Sequence, residues 1–168
     1  MKILARSLLD ELAAQAAASP RARAHHNIHE SPADPVQRFF VAALADSYFR
    51  PHRHAARSEL ALVVRGSFDV LTFDADGIVR ARYRVGEGTA GLAYETPAGT
   101  WHTLLPGEAG GTFLEIKEGP YDPATAIEFA PWAPAEGSAE VASYLAWLRR
   151  AQPGEGTPPR RTVPAPAP

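Results

Sequence analysis

The sequence predicts a mainly β domain, an antiparallel sandwich or barrel with a helix near each end. Three observations lead there. Between Tyr48 and Lys117, the segments "ELALVV", "SFDVLTF", "IVRARYRV", "TAGLAYE", "WHTLL" and "TFLEIK" are short and rich in β-branched or aromatic residues. Clusters of Gly, Pro and Asp separate them at short, regular intervals, the signature of an antiparallel sandwich or barrel. Within "VRARYRV", Val79, Ala81, Tyr83 and Val85 alternate with Arg80, Arg82 and Arg84, which predicts one buried and one wet face.

The elements follow in order. Leu4, Leu8, Leu9 and Leu12 recur at helical spacing, so residues 2 to about 18 should form an amphipathic helix that Ser19-Pro20 ends. "RARAHHNIHESPADPVQRFF" is polar, contains Pro32 and Pro35, and reads as an ordered loop leading into a strand near residues 36–44. "DADG", Asp74 to Gly77, is a hairpin turn. Residues 119–137 hold four prolines and should form an irregular arm packed by Tyr121, Phe129 and Trp132. Ser138 then caps a helix over 139–150, with Val141, Tyr144, Leu145 and Leu148 on one face. The last stretch, 151–168, is rich in Pro and Gly and poor in apolar bulk, so it is expected to be a disordered tail. The expected organisation is thus a helix and polar loop over 1–35, a barrel over 36–118, an arm and helix over 119–150, and the tail.

At 168 residues the chain suits a single domain with one buried core. Its net charge of −2 offers no basic excess for nucleic acid or an anionic membrane surface. No apolar run approaches the ~18 residues of a membrane helix. "MKILARSLLDELAAQ" carries acids inside its apolar pattern and reads as a helix, not a signal peptide. There is no cysteine, which fits a cytoplasmic protein and restricts any metal ligands to His, Asp and Glu.

The chemistry concentrates in "RPHRHAARSELALVVRG". His52 and His54 are two apart on a segment that Pro51 keeps extended, so their imidazoles share a face while Arg53 projects away. Glu59 lies an odd number of positions beyond His54. "AARS" must therefore turn or bulge to bring the carboxylate to the same side. Further on, Pro97-Ala98-Gly99 fits a tight turn with Pro second and Gly fourth, and His102 starts a new strand. Three imidazoles and a carboxylate suit one divalent transition metal, Fe, Mn, Ni, Cu or Zn, with positions left open for water or substrate.

These two stretches resemble the cupin patterns H-x-H-x(4)-E-x(6)-G, filled by His52, His54, Glu59 and Gly66, and G-x(5)-P-x-G-x(2)-H, filled by Gly91, Pro97, Gly99 and His102. Two positions depart from the family: the glycine that usually opens the first motif is Asp46, and the asparagine that usually closes the second is Pro106. Neither position supplies a metal ligand in the family. The resemblance implies a single-domain cupin, a double-stranded β-helix or jelly-roll barrel with N- and C-terminal helices and the metal in its mouth. It also implies a homodimer, since many small cupins pair through barrel edges. More narrowly, "NIHESPADPVQR", "RPHRH", "PAGTWHTL", "GPYDP" and "EFAPWAP" look like the WbuC family of cupin-fold metalloproteins, which is associated with O-antigen and other surface-polysaccharide gene clusters.

Around this set, His29 and Glu115 are candidate catalytic groups, and Asn27, Arg38 and Tyr121 candidate substrate contacts. Arg21, Arg23 and Arg38 have the guanidinium chemistry to clamp a phosphate or carboxylate. Trp101 should face away from His102 into the core. Three functional readings follow. The first is a metalloenzyme acting on a sugar or nucleotide sugar, by isomerisation or epimerisation. The second is an Fe(II)-dependent dioxygenase. The third is a module that binds a metal or small ligand without turnover.

Overall fold

A computed structural model describes residues 1–158. Its elements run α1 (Ser7–Ala18), β1 (Arg23–Asn27), β2 (Val36–Ala43), β3 (His52–Arg53), β4 (Glu59–Phe73), β5 (Val79–Gly86), β6 (Ala93–Thr96), β7 (Trp101–Glu118), β8 (Glu128–Phe129) and α2 (Val141–Arg150). All strand pairs are antiparallel, in the order β1-β2-β7-β3-β8, with β4 pairing β5, β6 and β7.

Two long bent strands close this sheet on itself. The first half of β4 pairs with the last third of β7 (Glu59 opposite Lys117), and its second half pairs with the start of β7 (Thr72 opposite His102). The register shifts around Gly66, where the strands cross closely. Gly66 has φ +67°, and a Cβ there would lie 2.2 Å from the Gly110 carbonyl oxygen. Only glycine fits both the backbone and the space. The result is a cupin fold, mainly β, with a helix near each end.

Apolar residues form three clusters. Phe68, Val70, Leu104 and Phe113 fill the barrel interior. Leu12 and Ala16 of α1 cover Phe40 and Ala42 of β2. Tyr144, Leu145 and Leu148 of α2 pack on Leu71, Phe73, Val79 and Trp101, so Trp101 is core, as expected.

Several expectations need correction. The first helix begins at Ser7, not residue 2. "RAHHN" is a strand, β1, paired with β2, because Phe39 to Ala43 offer it a free edge. Ser138 does not cap α2: the N-cap is Glu140, without a side-chain cap, and the Ser138 hydroxyl is buried without a partner. The arginine stripe is not uniformly wet. Arg82 donates to the carbonyls of Leu148, Ala151 and Arg149 and pairs with Asp69, while Tyr83 is exposed. Helix α2 docks across β5, and its terminal carbonyls need donors. Nor is 151–158 disordered: Ala151 is buried, Gly154 donates to Val79, and Val79 donates to Glu155. The rest of the expected tail, 159–168, lies outside the described residues.

Candidate metal centre

His52 and His102 are directly opposed on β3 and β7, and His54 follows just after β3. The expected turn in "AARS" is present at Ala55-Ala56, and it returns the chain so that Glu59 opens β4 on the same side. The second turn is displaced by one residue. Thr100 donates to Pro97, which makes Gly99 the third position, with φ +77°, as a type II turn requires. Gly99 also donates to the His54 carbonyl, tying the two motifs together.

The three imidazoles can present nitrogens within 4.8 Å of one another. Each is oriented by a backbone carbonyl that accepts from its Nδ1: Arg50 for His52 (2.8 Å), Ala126 for His54 (2.5 Å) and Thr100 for His102 (2.9 Å). A carbonyl can only accept, so Nδ1 carries the proton and Nε2 is left with a lone pair. Such backbone anchoring is characteristic of metal-binding histidines.

Nε2 of His54 and of His102 lie 2.9 and 2.8 Å from the two Glu59 carboxylate oxygens. Yet neither nitrogen has a hydrogen-bond partner of acceptable geometry, although both are buried. A carboxylate this close to two imidazole nitrogens needs positive charge beside it, which a proton or a metal ion can supply. His54, Glu59 and His102 are only 5%, 4% and 0% exposed, so bulk water does not supply the balance. Three neutral imidazoles and a carboxylate are a fitting donor set for a divalent transition metal.

Without a bound ion, these groups perturb one another directly. Burial works to raise the Glu59 carboxyl, but the close contacts with His102 and His54 outweigh it and hold the group well below the usual range. Burial works to lower His102, but Glu59 outweighs it and the imidazole is raised. His52 is pushed down to about 3, first by burial and then by His102.

His52, His54 and Glu59 line a cavity of about 540 Å³, and the fully buried His102 packs against His52. His29, Asn27, Glu115 and Tyr121 all reach this cavity. The His29 ring is buried, and its Nδ1 sits 3.0 Å from the Arg38 amide nitrogen. Glu115 is raised by burial and by Glu59, partly offset by Lys117, whose Nζ is 2.5 Å away. Arg38 is not brought to the cavity. It lies on the outer face of β2, pairs with Asp34 at 3.8 Å, and does not line the cavity. Gln37, one residue earlier, holds the inward position. Residues not anticipated include Gln37, Arg50, Lys117 and Glu136 on the walls and the Ala126 carbonyl behind His54. Lys117 was accessible in principle, since Phe113, Glu115 and Lys117 alternate onto one face of β7.

The arm after β7 straps this mouth. Phe129 of β8 pairs opposite His52, and Ala130 donates to Pro51. Arg53 forms a two-point pair with Glu128 from the outside.

A model of a domain of unknown function, DUF6016, matches residues 4–85. That span includes His52, His54 and Glu59 and stops short of His102. No curated protein matches the chain. Among solved structures, CapF, a capsular polysaccharide assembling protein from Staphylococcus aureus, is 18% identical over 62% of this chain and 28% of its own, with a TM-score of 0.52. Recombinant oxalate oxidase in complex with glycolate is 16% identical over 68% of this chain and 58% of its own, with a TM-score of 0.50. A mutant of Bacillus subtilis oxalate decarboxylase OxdC is 20% identical over 64% of this chain and 27% of its own, also at 0.50. The chain thus spans less than two thirds of each of these proteins. What it shares with these cupin-fold proteins at such identities is the fold. No helix among the described residues is long and apolar enough to cross a membrane.

Proposed function

We propose that this protein is a cytoplasmic metalloenzyme of surface-polysaccharide (O-antigen) biosynthesis that isomerises or epimerises a small sugar-type substrate, such as a nucleotide sugar. The observation that carries the metal is the pair of buried Nε2 atoms on His54 and His102, aimed at Glu59 without hydrogen-bond partners. The ligands would be His52, His54, Glu59 and His102. The sugar reading rests on the WbuC-like stretches. "NIHESPADPVQR" contributes Asn27, His29 and Gln37 to the cavity, "GPYDP" contributes Tyr121, and "EFAPWAP" forms the strap. CapF's description as a capsular polysaccharide assembling protein is in keeping with it.

A divalent ion held by this set would polarise a substrate carbonyl or hydroxyl oxygen as a Lewis acid. The chain supplies the proton handling. The Glu115 carboxyl, raised by burial and by Glu59, is the group on the cavity wall suited to take and return a proton. Lys117 fixes its orientation. His29 is held through Nδ1, which lies 2.9 Å from the Arg38 carbonyl oxygen and 3.0 Å from its amide nitrogen, and this leaves Nε2 as the ring atom available to a substrate. Phe39, Phe113 and Leu104 wall the cavity and limit water.

The test is proton NMR of sugars and nucleotide sugars incubated with the protein in D2O. The reading predicts deuterium at the carbon beside the carbonyl, lost in Glu115→Gln. Oxygen uptake with substrate and no exchange would favour dioxygen chemistry, and neither exchange nor uptake across the panel would favour a binding module.

A further inference from the structure

Charge in the cavity is distributed unevenly. Its wall carries four permanent cations, Arg21, Arg23, Arg50 and Lys117, against three carboxylates, Glu59, Glu115 and Glu136. Each carboxylate is already engaged. Glu136 holds both Arg21 and Arg23, Glu115 holds Lys117, and Glu59 faces the imidazoles. Arg50 is left without a carboxylate among the described residues. With a divalent ion on the histidines the wall would carry three positive charges in excess, in a chain whose net charge is −2. A low-dielectric cavity of one sign concentrates ions of the other.

Arg50 is also held in place. Its guanidinium stacks over Phe129 at 5.0 Å and donates through Nη2 to the Ala130 carbonyl at 3.1 Å. Its Nε is buried without a hydrogen-bond partner, and Nη1 has none among the described residues. The backbone carbonyl of the same residue anchors His52. The cation is therefore preorganised two residues from a metal-site imidazole, with donors to spare.

We propose that Arg50 is an anion anchor, and that the substrate is a small acid whose carboxylate or phosphate group is received by Arg50 while its reacting oxygen reaches the histidine cluster. This deepens the metalloenzyme reading and rests on it for the second half. An anchored anion would fix which substrate atom faces Glu115 and His29. Arg50 is thereby a specificity residue. A neutral sugar of the same size would leave a half-buried guanidinium unsatisfied.

The experiment is calorimetric titration at low salt with acetate, inorganic phosphate and acetamide, the neutral isostere of acetate, on Zn(II)-loaded and chelator-treated protein. Acetate or phosphate is expected to bind, with acetamide weaker by about tenfold or more, the loss of a charge-assisted hydrogen bond. Whichever anion binds tighter separates a carboxylate from a phosphoryl substrate. Arg50→Gln should erase the discrimination in the chelator-treated protein and lower it in the zinc-loaded one, and Arg50→Lys should retain part of it. Arg80→Gln, on the outer surface, should behave as wild type. Equal binding of acetate and acetamide, or an Arg50→Gln protein that binds anions like wild type, would overturn the proposal. If Arg50→Gln does not fold, the Arg50 Nε–H resonance of the wild type decides: it shifts with acetate and not with acetamide, and an unmoved resonance overturns the anchor. Zinc that fails to bind while anion discrimination persists would sink the metal reading and leave Arg50 standing.

Discussion

Replacing Gly66 by alanine attacks the crossing of β4 and β7, on which the placement of the site depends. Two costs arise. A non-glycine residue at φ +67° is strained by about 1–3 kcal/mol, reduced by about 0.4–1 kcal/mol because alanine is less free in the unfolded chain. The new Cβ would also stand 2.2 Å from the Gly110 carbonyl oxygen and 2.9 Å from the Gly111 Cα, where ordinary contact begins at 3.4 Å. Backbone must therefore move by about 1 Å, at the upper end of the ~1–3 kcal/mol range for overpacking. Gly88 separates the two costs, because its φ is +74° but a Cβ there meets nothing within 4 Å. Both variants share the backbone term, so their difference isolates the close approach. Thermal unfolding followed by far-UV circular dichroism should place Gly66→Ala about 6–12 °C below Gly88→Ala, the shift expected for ~3 kcal/mol in a chain of this size. Melting temperatures within ~2 °C of each other would refute the argument that the crossing needs glycine for space.

Three further outcomes follow from the site. Without metal, stability should fall on acidification. His52, with a folded pKa of about 3, stays neutral while the unfolded chain takes up a proton below about 6.5, so its contribution is full above 6.5 and lost towards 3. Glu59, depressed in the fold, adds a loss below its unfolded value of 4.5, while the gain from His102, raised in the fold, is already complete at about 6.5 and offsets neither loss below it. The urea midpoint of chelator-treated protein should therefore be lower at about pH 4 than at pH 7, and an equal or higher midpoint at the acid end would be inconsistent. Lys117→Met removes the cation that partly offsets burial, so the Glu115 carboxyl should climb further in a carbon-13 titration, and a fall would contradict the pairing. Arg38→Ala, on the outer face of β2, should leave metal content and anion affinity within about twofold of wild type, and a tenfold loss would return Arg38 to the site.

The candidate metal site was the most legible part of the sequence because its chemistry is written in local spacing. His52 and His54 share a face by strand geometry, the odd offset to Glu59 demanded a turn, and a turn is there at Ala55-Ala56. The face of β2 was not legible. "VQRFFVAA" has no clean alternation because both of its sides are covered, one by α1 and the other by the cavity wall, so Arg38 and Gln37 could not be told apart. "TFLEIK" poses the same ambiguity, which hid Lys117. Strand β1 escaped because "RAHHN" has little apolar character of its own and is held by the edge of β2, a tertiary fact. The ordered start of the tail escaped likewise, being fastened by backbone bonds to Val79 that composition does not encode. Arg50 opens "RPHRH", but nothing in the spacing assigned it a role beside the histidines. Its availability comes from where Glu59, Glu115 and Glu136 find their partners.

The account stands on the claim that His52, His54, Glu59 and His102 hold a metal ion. Elemental analysis by mass spectrometry of protein purified without affinity tag or chelator addresses it directly, beside a His54→Ala/His102→Ala double variant checked for folding by circular dichroism. The account predicts about one transition-metal ion per wild-type chain and less than about a tenth of that in the variant. The same metal content in both proteins would contradict it.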